Sequence, residues 1–340
     1  MGAATGMWTT LIIALAVAAA LSAGLIVVLR PAFARYAMAR PNARSSHVTP
    51  TPQGGGIAVI AATLIAAWLG AALANTGLST AEWLALSISA ILLALTGAVD
   101  DIRGLHPGPR LLIQIFAVGL VIAALPDDFA IVPQLARPFE RALLLLGGVW
   151  FVNLVNFMDG IDWMTVAEVV PVTAGVALLG LADGGPPGAA VVAAALFGAI
   201  IGFAPFNRPV ARLFLGDVGS LPIGLLLGWL MLMLAGRDNL AAAILLPLYY
   251  LADATITLGR RLIRREAVWQ AHRTHFYQRA TDGGFSVKEI VVRVFVVNLA
   301  LAGLALITAI EPDPYVDLAT VALGGALVAW LLITFQRGKR

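Results

Sequence analysis

Cysteine is absent from this chain of 340 residues, which excludes disulfides, thiolate metal centres and cysteine nucleophiles together. Charge is nearly as scarce. Asp, Glu, Lys and Arg make up 12% of the residues, against about 25% in an ordinary globular chain, and 60% are apolar, so a water-soluble fold is excluded. The basic excess is only +3. Lys and Arg favour one side of a membrane, and that preference explains the excess without nucleic acid as a partner. No convincing internal repeat is present either, so the inverted halves of many transporters find no support.

What the sequence does contain is a series of nearly uncharged apolar runs. A hydrocarbon core of about 30 Å requires roughly 20 apolar residues per helix. Eleven runs approach that length: 7–29, 54–74, 83–99, 111–125, 142–157, 164–182, 189–206, 218–235, 240–258, 290–310 and 318–335. The fourth and fifth are short, and the sixth holds Glu168. The expected fold is an all-α integral membrane protein, a bundle of about eleven transmembrane helices forming one polytopic domain over residues 1–340. Ala32, Phe33 and Ala34 resemble a signal-cleavage site, but nothing before the first run is basic. That run also exceeds the roughly 7–15 residues of a signal core, so it reads as a retained helix.

The basic residues set the orientation. With the N-terminus outside (periplasmic), the inner loops are 30–53, 100–110, 158–163, 207–217 and 259–289, and the C-terminus is cytoplasmic. Eighteen of the 22 Lys and Arg then lie inside, among them Arg40, Arg44, Arg260, Arg261 and Arg340, and only Arg137, Arg141 and Arg237 lie outside. Nine acids, including Glu82, Asp127, Glu140, Asp183 and Asp313, fall in outer segments.

With the outer acids set aside, four inner segments stand out: "GAVDDIRG", "NLVNFMDGID", "RLFLGDVGS" and "AHRTHFYQR". Singly, each has an ordinary explanation. Aspartates near helix ends are often solvated caps, Gly216 and Gly219 are typical close-packing residues, and His272 and His275 are unremarkable loop histidines. Together they bring Asp100, Asp101, Asp159, Asp162 and Asp217 to one membrane face within an arginine-rich rim. Adjacent carboxylates such as Asp100 and Asp101 require a nearby cation or proton. Mg²⁺ suits that need, because it binds through one or two carboxylates plus water and phosphate oxygens. Carboxylates with a divalent ion, joined by Arg and His donors, fit phosphoryl transfer, which is catalysed chiefly by positioning and charge neutralisation.

At these residues the chain resembles the polyprenyl-phosphate N-acetylhexosamine-1-phosphate transferases, the integral membrane superfamily that includes MraY and WecA. "SHVTPTPQGGG", "VDDIRG", "NLVNFMDGID", "FLGDVGSLPIG" and a histidine-bearing basic loop occur in the family's order through almost the whole chain. The resemblance implies transfer of a phosphosugar from a UDP-N-acetylhexosamine to undecaprenyl phosphate at the cytoplasmic face of a bacterial inner membrane. It implies Asp217 as the principal Mg²⁺ ligand, with Mn²⁺ as the alternative ion, and Asp100 and Asp101 at the metal and lipid-phosphate centre. Asn156, Asp159 and Asp162 match the nucleotide-side polar cluster; His272, Arg273 and His275 match a diphosphate-gripping loop, and Arg110 matches a basic position after the paired aspartates. Gly54, Gly55 and Gly56 suit either close approach of the lipid phosphate or a tight helix start. Homodimers are common in the superfamily.

Two departures bear on the substrate. The loop reads "HRTHFYQR" where the MraY branch carries three consecutive histidines, which places the chain nearer the WecA-like, O-antigen-initiating branch using UDP-GlcNAc, UDP-FucNAc or UDP-QuiNAc. Trp163 replaces the usual glycine after "DGID", either lining the sugar pocket or anchoring a helix at the interface. The alternative donor is the muramoyl-pentapeptide nucleotide of peptidoglycan synthesis. A rival of another class is a transporter or lipid flippase, resting on Glu168 and Asp253 inside apolar runs, although Asp253 has Arg260 and Arg261 as candidate partners.

Overall fold

A computed structural model describes residues 2–39, 50–181, 186–267 and 272–339. Arg40, Arg44, the "SHVT" part of the first motif, Asp183, Ala271 and Arg340 lie outside the described residues. The fold is helical throughout: α1 (Gly2–Tyr36), α2 (Gly55–Leu73), α3 (Thr80–Arg103), α4 (Pro107–Ala123), α5 (Arg137–Met158), α6 (Met164–Leu181), α7 (Pro187–Phe203), α8 (Asp217–Ala235), α9 (Leu240–Leu245), α10 (Leu248–Ile263), α11 (Phe276–Asp282), α12 (Val287–Ile310) and α13 (Pro314–Arg337). The short strands β1 (Met38–Ala39) and β2 (Thr51–Pro52) pair antiparallel ahead of α2.

Among the described residues, eight helices are long and apolar enough to cross a membrane, and α4 and α7 are shorter apolar helices. The protein is accordingly a multi-pass membrane protein. The run expected as one span at 240–258 is divided at Leu246 and Pro247 into α9 and α10. Leu246 keeps helical geometry and bonds the Ala242 carbonyl, but Pro247 has no N–H to continue the ladder, so the division falls there.

Helix α8 is apolar on every face and buried along nearly its whole length, whereas α1, α5 and α13 leave most of their surface exposed. A helix without a polar stripe belongs at the centre of a bundle. Glycine lets its neighbours reach it. A Cβ on Gly56 of α2 would collide with the Gly219 backbone, and one on Gly97 of α3 would collide with the Asp217 backbone. Small residues at such crossings let backbones meet where lipid offers no hydrophobic drive for association. The C-terminal end of α3 and the N-terminal end of α2 are thereby pressed against the first turn of α8.

The acids expected on the outer side have local structural work. Glu82 completes a capping box with Ser79, Glu140 accepts from the Ile131 and Val132 amides, and Asp313 caps α13. Glu168, fully buried in α6, accepts from Asn298 Nδ2 of α12 at 2.6 Å. The same amide donates to the Ala167 carbonyl at 3.0 Å. Pro171 lies four residues on and cannot bond that carbonyl, so Asn298 supplies the donor that the helix lacks.

Candidate active site

The site forms where the last turn of α3, the first turn of α4, the end of α5 and the start of α8 converge. Arg110 lies at its centre. Its Nη1 donates to Asp100 Oδ2 at 2.7 Å and to Asp217 Oδ2 at 3.2 Å, and its Nη2 donates to Asn156 Oδ1 at 2.5 Å. Asn156 Nδ2 donates to Asp217 Oδ1 and Ser220 Oγ, both at 2.8 Å. The planar guanidinium suits this because its fixed fork satisfies several oxygen acceptors at once. Asp100 Oδ1 also accepts from the Leu105 amide at 2.6 Å, which folds the α3–α4 turn back onto the carboxylate.

Asp101 has a different task. Its two oxygens accept from the Asp217 and Val218 amides at 3.0 and 3.1 Å, so it caps α8 from a distant helix. Helix N-termini attract carboxylates because their first amides have no partner in the helix and carry the positive end of the dipole. Gly216, at φ 78°, makes the turn into the helix and packs directly on the Asp101 carboxylate. Gln53 Nε2 donates to the Asp101 carbonyl at 2.9 Å and ties the segment before α2 to α3.

Of the two explanations for the glycine run, the geometry favours the tight helix start. The Gly55 and Gly56 amides donate to the Phe214 and Leu215 carbonyls at 3.0 and 2.9 Å, leaving neither for a phosphate. A Cβ on Gly55 would strike Phe203, and Gly54 turns the chain at φ 110°.

Asp159 and Asp162 lie in the α5–α6 turn. Asp159 Oδ1 accepts from Thr165 Oγ1 at 2.5 Å. Burial, and secondarily its neighbours Asp217 and Asp162, push the Asp159 carboxyl up to about 7. Asp162 Oδ2 accepts from the Ala211 amide at 2.9 Å, holding the segment before α8 in place. Trp163 adopts φ 63°, a left-handed geometry that glycine, the residue the family resemblance implies here, takes without strain. Two hydrogen bonds hold the tryptophan there: its amide donates to Asn207 Oδ1 at 2.8 Å, and its indole donates to the Ala204 carbonyl at 2.7 Å. Trp163 thus staples the turn to the end of α7.

The histidine loop reaches the same region through the end of α5. Tyr277 OH donates to the Phe157 carbonyl at 3.1 Å, and the His275 and Phe157 rings lie 6.4 Å apart. His275 is only 2% exposed, while His272 is half-buried and stacks on it with centroids 4.9 Å apart. Burial, followed by the neighbouring His275 and Arg261, pushes the His272 imidazole down to about 4, so it is neutral at physiological pH. Arg273 turns toward Asp282 at 3.4 Å. Asp253 does not pair with Arg260 or Arg261 as expected from sequence: it meets His275, Tyr249, Thr257 and the α11 amides, while Arg260 lies over the Phe276 ring and Arg261 pairs with Glu266.

The structure therefore joins Asp100, Asp101, Arg110, Asn156 and Asp217 directly, and brings Asp159, Asp162, His272 and His275 to the adjoining turn and loop. Ser220, Thr165, Tyr277 and Asn207 were not singled out from sequence. Ser220 and Tyr277 stood inside quoted motifs, whereas Thr165 and Asn207 carried no signal.

Residues 83–235 match the family described as glycosyl transferase family 4. Over 80% of this chain and 77% of the relative, the sequence is 25% identical to the probable undecaprenyl-phosphate N-acetylglucosaminyl 1-phosphate transferase of Bacillus subtilis (strain 168). It is 27% identical to the decaprenyl-phosphate N-acetylglucosaminephosphotransferase of Mycobacterium tuberculosis (strain CDC 1551 / Oshkosh), over 86% of this chain and 80% of the relative. The phospho-N-acetylmuramoyl-pentapeptide-transferase of Synechococcus sp. (strain RCC307) is 29% identical over 62% of this chain and 65% of the relative.

Proposed function

The chain belongs to the MraY/WecA superfamily of polyprenyl-phosphate N-acetylhexosamine-1-phosphate transferases, and from that membership we propose that it moves N-acetylhexosamine 1-phosphate from a UDP-linked donor to undecaprenyl phosphate. The products are undecaprenyl-diphospho-N-acetylhexosamine and UMP. The observation that carries this reading is the junction in which Arg110 bridges Asp100, Asn156 and Asp217 at the start of α8. It sets alternating positive and negative groups where two phosphates must be brought together despite their repulsion.

The donor set fits Mg²⁺. Asp217 is more open than Asp100, with 30% of its side chain exposed against 12%. Its oxygens and those of Asp100 already share one cation, the Arg110 guanidinium. Among the described residues no group of three or more His, Cys, Asp or Glu is arranged as a metal cage. Mg²⁺ needs none, since it draws most of its ligands from water and phosphate. Asp217 would hold it, with Asp101 fixing the backbone from which Asp217 projects, and the bound ion would neutralise charge on the donor diphosphate.

In the chemical step an oxygen of the lipid phosphate attacks the donor β-phosphorus. One P–O bond forms, the bond to the bridging oxygen breaks, and that oxygen leaves with UMP. Direct attack is favoured over an aspartyl intermediate because both Asp100 oxygens are engaged, by Leu105 and Arg110. The nucleophile is itself largely ionised near neutral pH and needs little help from a base.

UDP-GlcNAc is the preferred donor, following the names of two relatives and the absence of three consecutive histidines in the loop. Initiation of O-antigen or another envelope glycan is the corresponding role. The muramoyl-pentapeptide donor is the second reading, favoured by the relative of that name. The transporter reading loses ground because Glu168 and Asp253 are held by structural partners. Eleven crossings, the N-terminus outside and the site at the cytoplasmic side of the inner membrane complete the proposal, with a homodimer as the expected assembly.

The test is Mg²⁺-dependent UMP release in detergent from undecaprenyl phosphate and each of UDP-GlcNAc, UDP-FucNAc, UDP-QuiNAc and the muramoyl-pentapeptide nucleotide. Release with UDP-GlcNAc is expected. Asp217→Asn is expected to abolish release while the protein stays monodisperse and helical. Near-normal turnover of that variant at saturating Mg²⁺ would remove the metal role.

A further inference from the structure

The two loop histidines are not equivalent, and the reason lies in Asp253. Its carboxylate is fully buried, yet every bond it makes is with a neutral donor or an imidazole. Oδ1 accepts from His275 Nδ1 at 3.1 Å, from the Phe276 amide at 3.0 Å and from Thr257 Oγ1 at 3.4 Å. Oδ2 accepts from Tyr249 OH at 3.1 Å and the Tyr277 amide at 3.2 Å. A buried carboxylate is tolerated only when its lone pairs are satisfied in this way. Two of the donors are the opening amides of α11, so Asp253 fixes where the histidine loop turns into that helix.

An ionised carboxylate only accepts, so His275 must present Nδ1–H to it. That fixes both the tautomer and the ring plane of His275. With 2% of its side chain exposed, His275 has little room to touch a substrate. Its faces are used instead: the His272 ring stacks on it at 4.9 Å with 23° between planes, and Tyr277 lies 5.8 Å away. Thr274 Oγ1 engages His272 Nδ1 at 2.9 Å, which leaves Nε2 as the edge of that ring available to a ligand.

We propose that Asp253 is a positioning residue which anchors His275 as a buried stacking platform, so that His272 alone is the imidazole presented to the donor diphosphate. This rests on the transferase reading of the site. The closing experiment therefore carries one arm that is independent of turnover.

In the kinetic arm, UMP release from UDP-GlcNAc and undecaprenyl phosphate is measured for His272→Ala, His275→Phe, His275→Ala and Asp253→Asn. His272→Ala is expected to lower kcat/KM for the sugar nucleotide about 100-fold, the scale of losing a catalytic proton-bearing group. His275→Phe keeps a ring under His272 and is expected to stay within about tenfold of the parent. His275→Ala and Asp253→Asn are expected to lose about 10- to 100-fold, as when the partner orienting a histidine is removed. In each case the KM for undecaprenyl phosphate should stay unchanged.

The second arm is the ¹⁵N spectrum of histidine-labelled protein, in which only four histidines contribute. His275 should show a protonated Nδ1, and Asp253→Asn should displace the His272 signal as well as that of His275. His275→Phe as inactive as His272→Ala would overturn the proposal, because the ring nitrogens of His275 would then be the working groups. So would an Asp253→Asn protein with lowered Tm but intact kinetic constants and an undisturbed His272 signal. If no donor releases UMP even with the parent protein, the transferase reading fails. The spectrum still decides whether Asp253 sets the two rings.

Discussion

Arg110 gathers Asp100, Asp217 and Asn156 in one guanidinium fork, so the contacts at the site depend on the shape of a side chain as much as on its charge. Lysine keeps the charge but offers a single ammonium that cannot bridge three acceptors in a plane. Arg110→Lys is therefore expected to retain the fold and lower kcat/KM by about 100-fold, the scale of removing one preorganised donor from a charge-stabilising site. UMP-release kinetics alongside thermal unfolding check this, and activity within a factor of a few would show that charge alone suffices. Asp159 makes a prediction of another kind. A carboxyl in an unfolded chain titrates near 4, whereas burial holds this one to about 7 in the folded protein. The folded state thus binds the proton more tightly, and the resulting stabilisation is full below pH 4 and is lost as pH rises through 7. Asp159→Asn cannot titrate. In Mg²⁺-free buffer its Tm relative to the parent should be higher at pH 8 than at pH 5, and a constant difference between the two would refute the assignment.

Among the helices, α6 and α12 meet through the polar clasp of Glu168 and Asn298. Glu168 Oε1 and Asn298 Oδ1 are both buried without a hydrogen-bond partner. A carboxylate can only accept, whereas glutamine brings a donor of the same shape. Glu168→Gln is expected to keep or raise Tm, and Glu168→Ala to destabilise by about 1–3 kcal/mol through the cavity and the stranded amide. Thermal unfolding in detergent distinguishes the two. If glutamine proved as damaging as alanine, the charge itself would be required and the transporter reading would revive. The helices were legible in the sequence because an apolar run of spanning length is dictated by bilayer thickness and needs no knowledge of partners. Pro247 was equally visible, but the uninterrupted apolarity around it concealed the division into α9 and α10. Short polar segments were legible at the site as well. Which group each carboxylate meets was not, since Asp100 shares Arg110 with Asp217, Asp101 caps α8 and Asp253 holds the start of α11, across folds of the chain that no local pattern encodes. Trp163 was visible as an exception, and its reason became clear only with its φ of 63° and its bonds to α7.

For the whole molecule, the arrangement of charge makes a connected claim: every crossing that is added or removed reverses the side assigned to all later loops. The lack of cysteine makes the claim directly testable, because any cysteine introduced is the only one in the chain. Arg103, Asp128 and Arg264 are exposed at the ends of α3, in the α4–α5 connection and after α10 respectively. Arg103→Cys, Asp128→Cys and Arg264→Cys, labelled in intact cells with a membrane-impermeant maleimide, probe both sides. Eleven crossings place position 128 outside, and positions 103 and 264 inside with the Asp100–Arg110–Asp217 junction. Labelling at 128 alone in intact cells, and at all three after permeabilisation, is the expected pattern. The short helix α4 is the sharpest point of the test. If it does not cross, 103 and 128 share a side, and the separation of a rim of cations from the outer acids no longer follows from topology. Labelling of 128 and 264 on the same side would instead remove a crossing between α5 and α10, and would put the histidine loop on the wrong face to meet the end of α5. The contact of Tyr277 with the Phe157 carbonyl requires those two elements to end on one side, so the labelling pattern tests the assembly of the site as well as the count of spans.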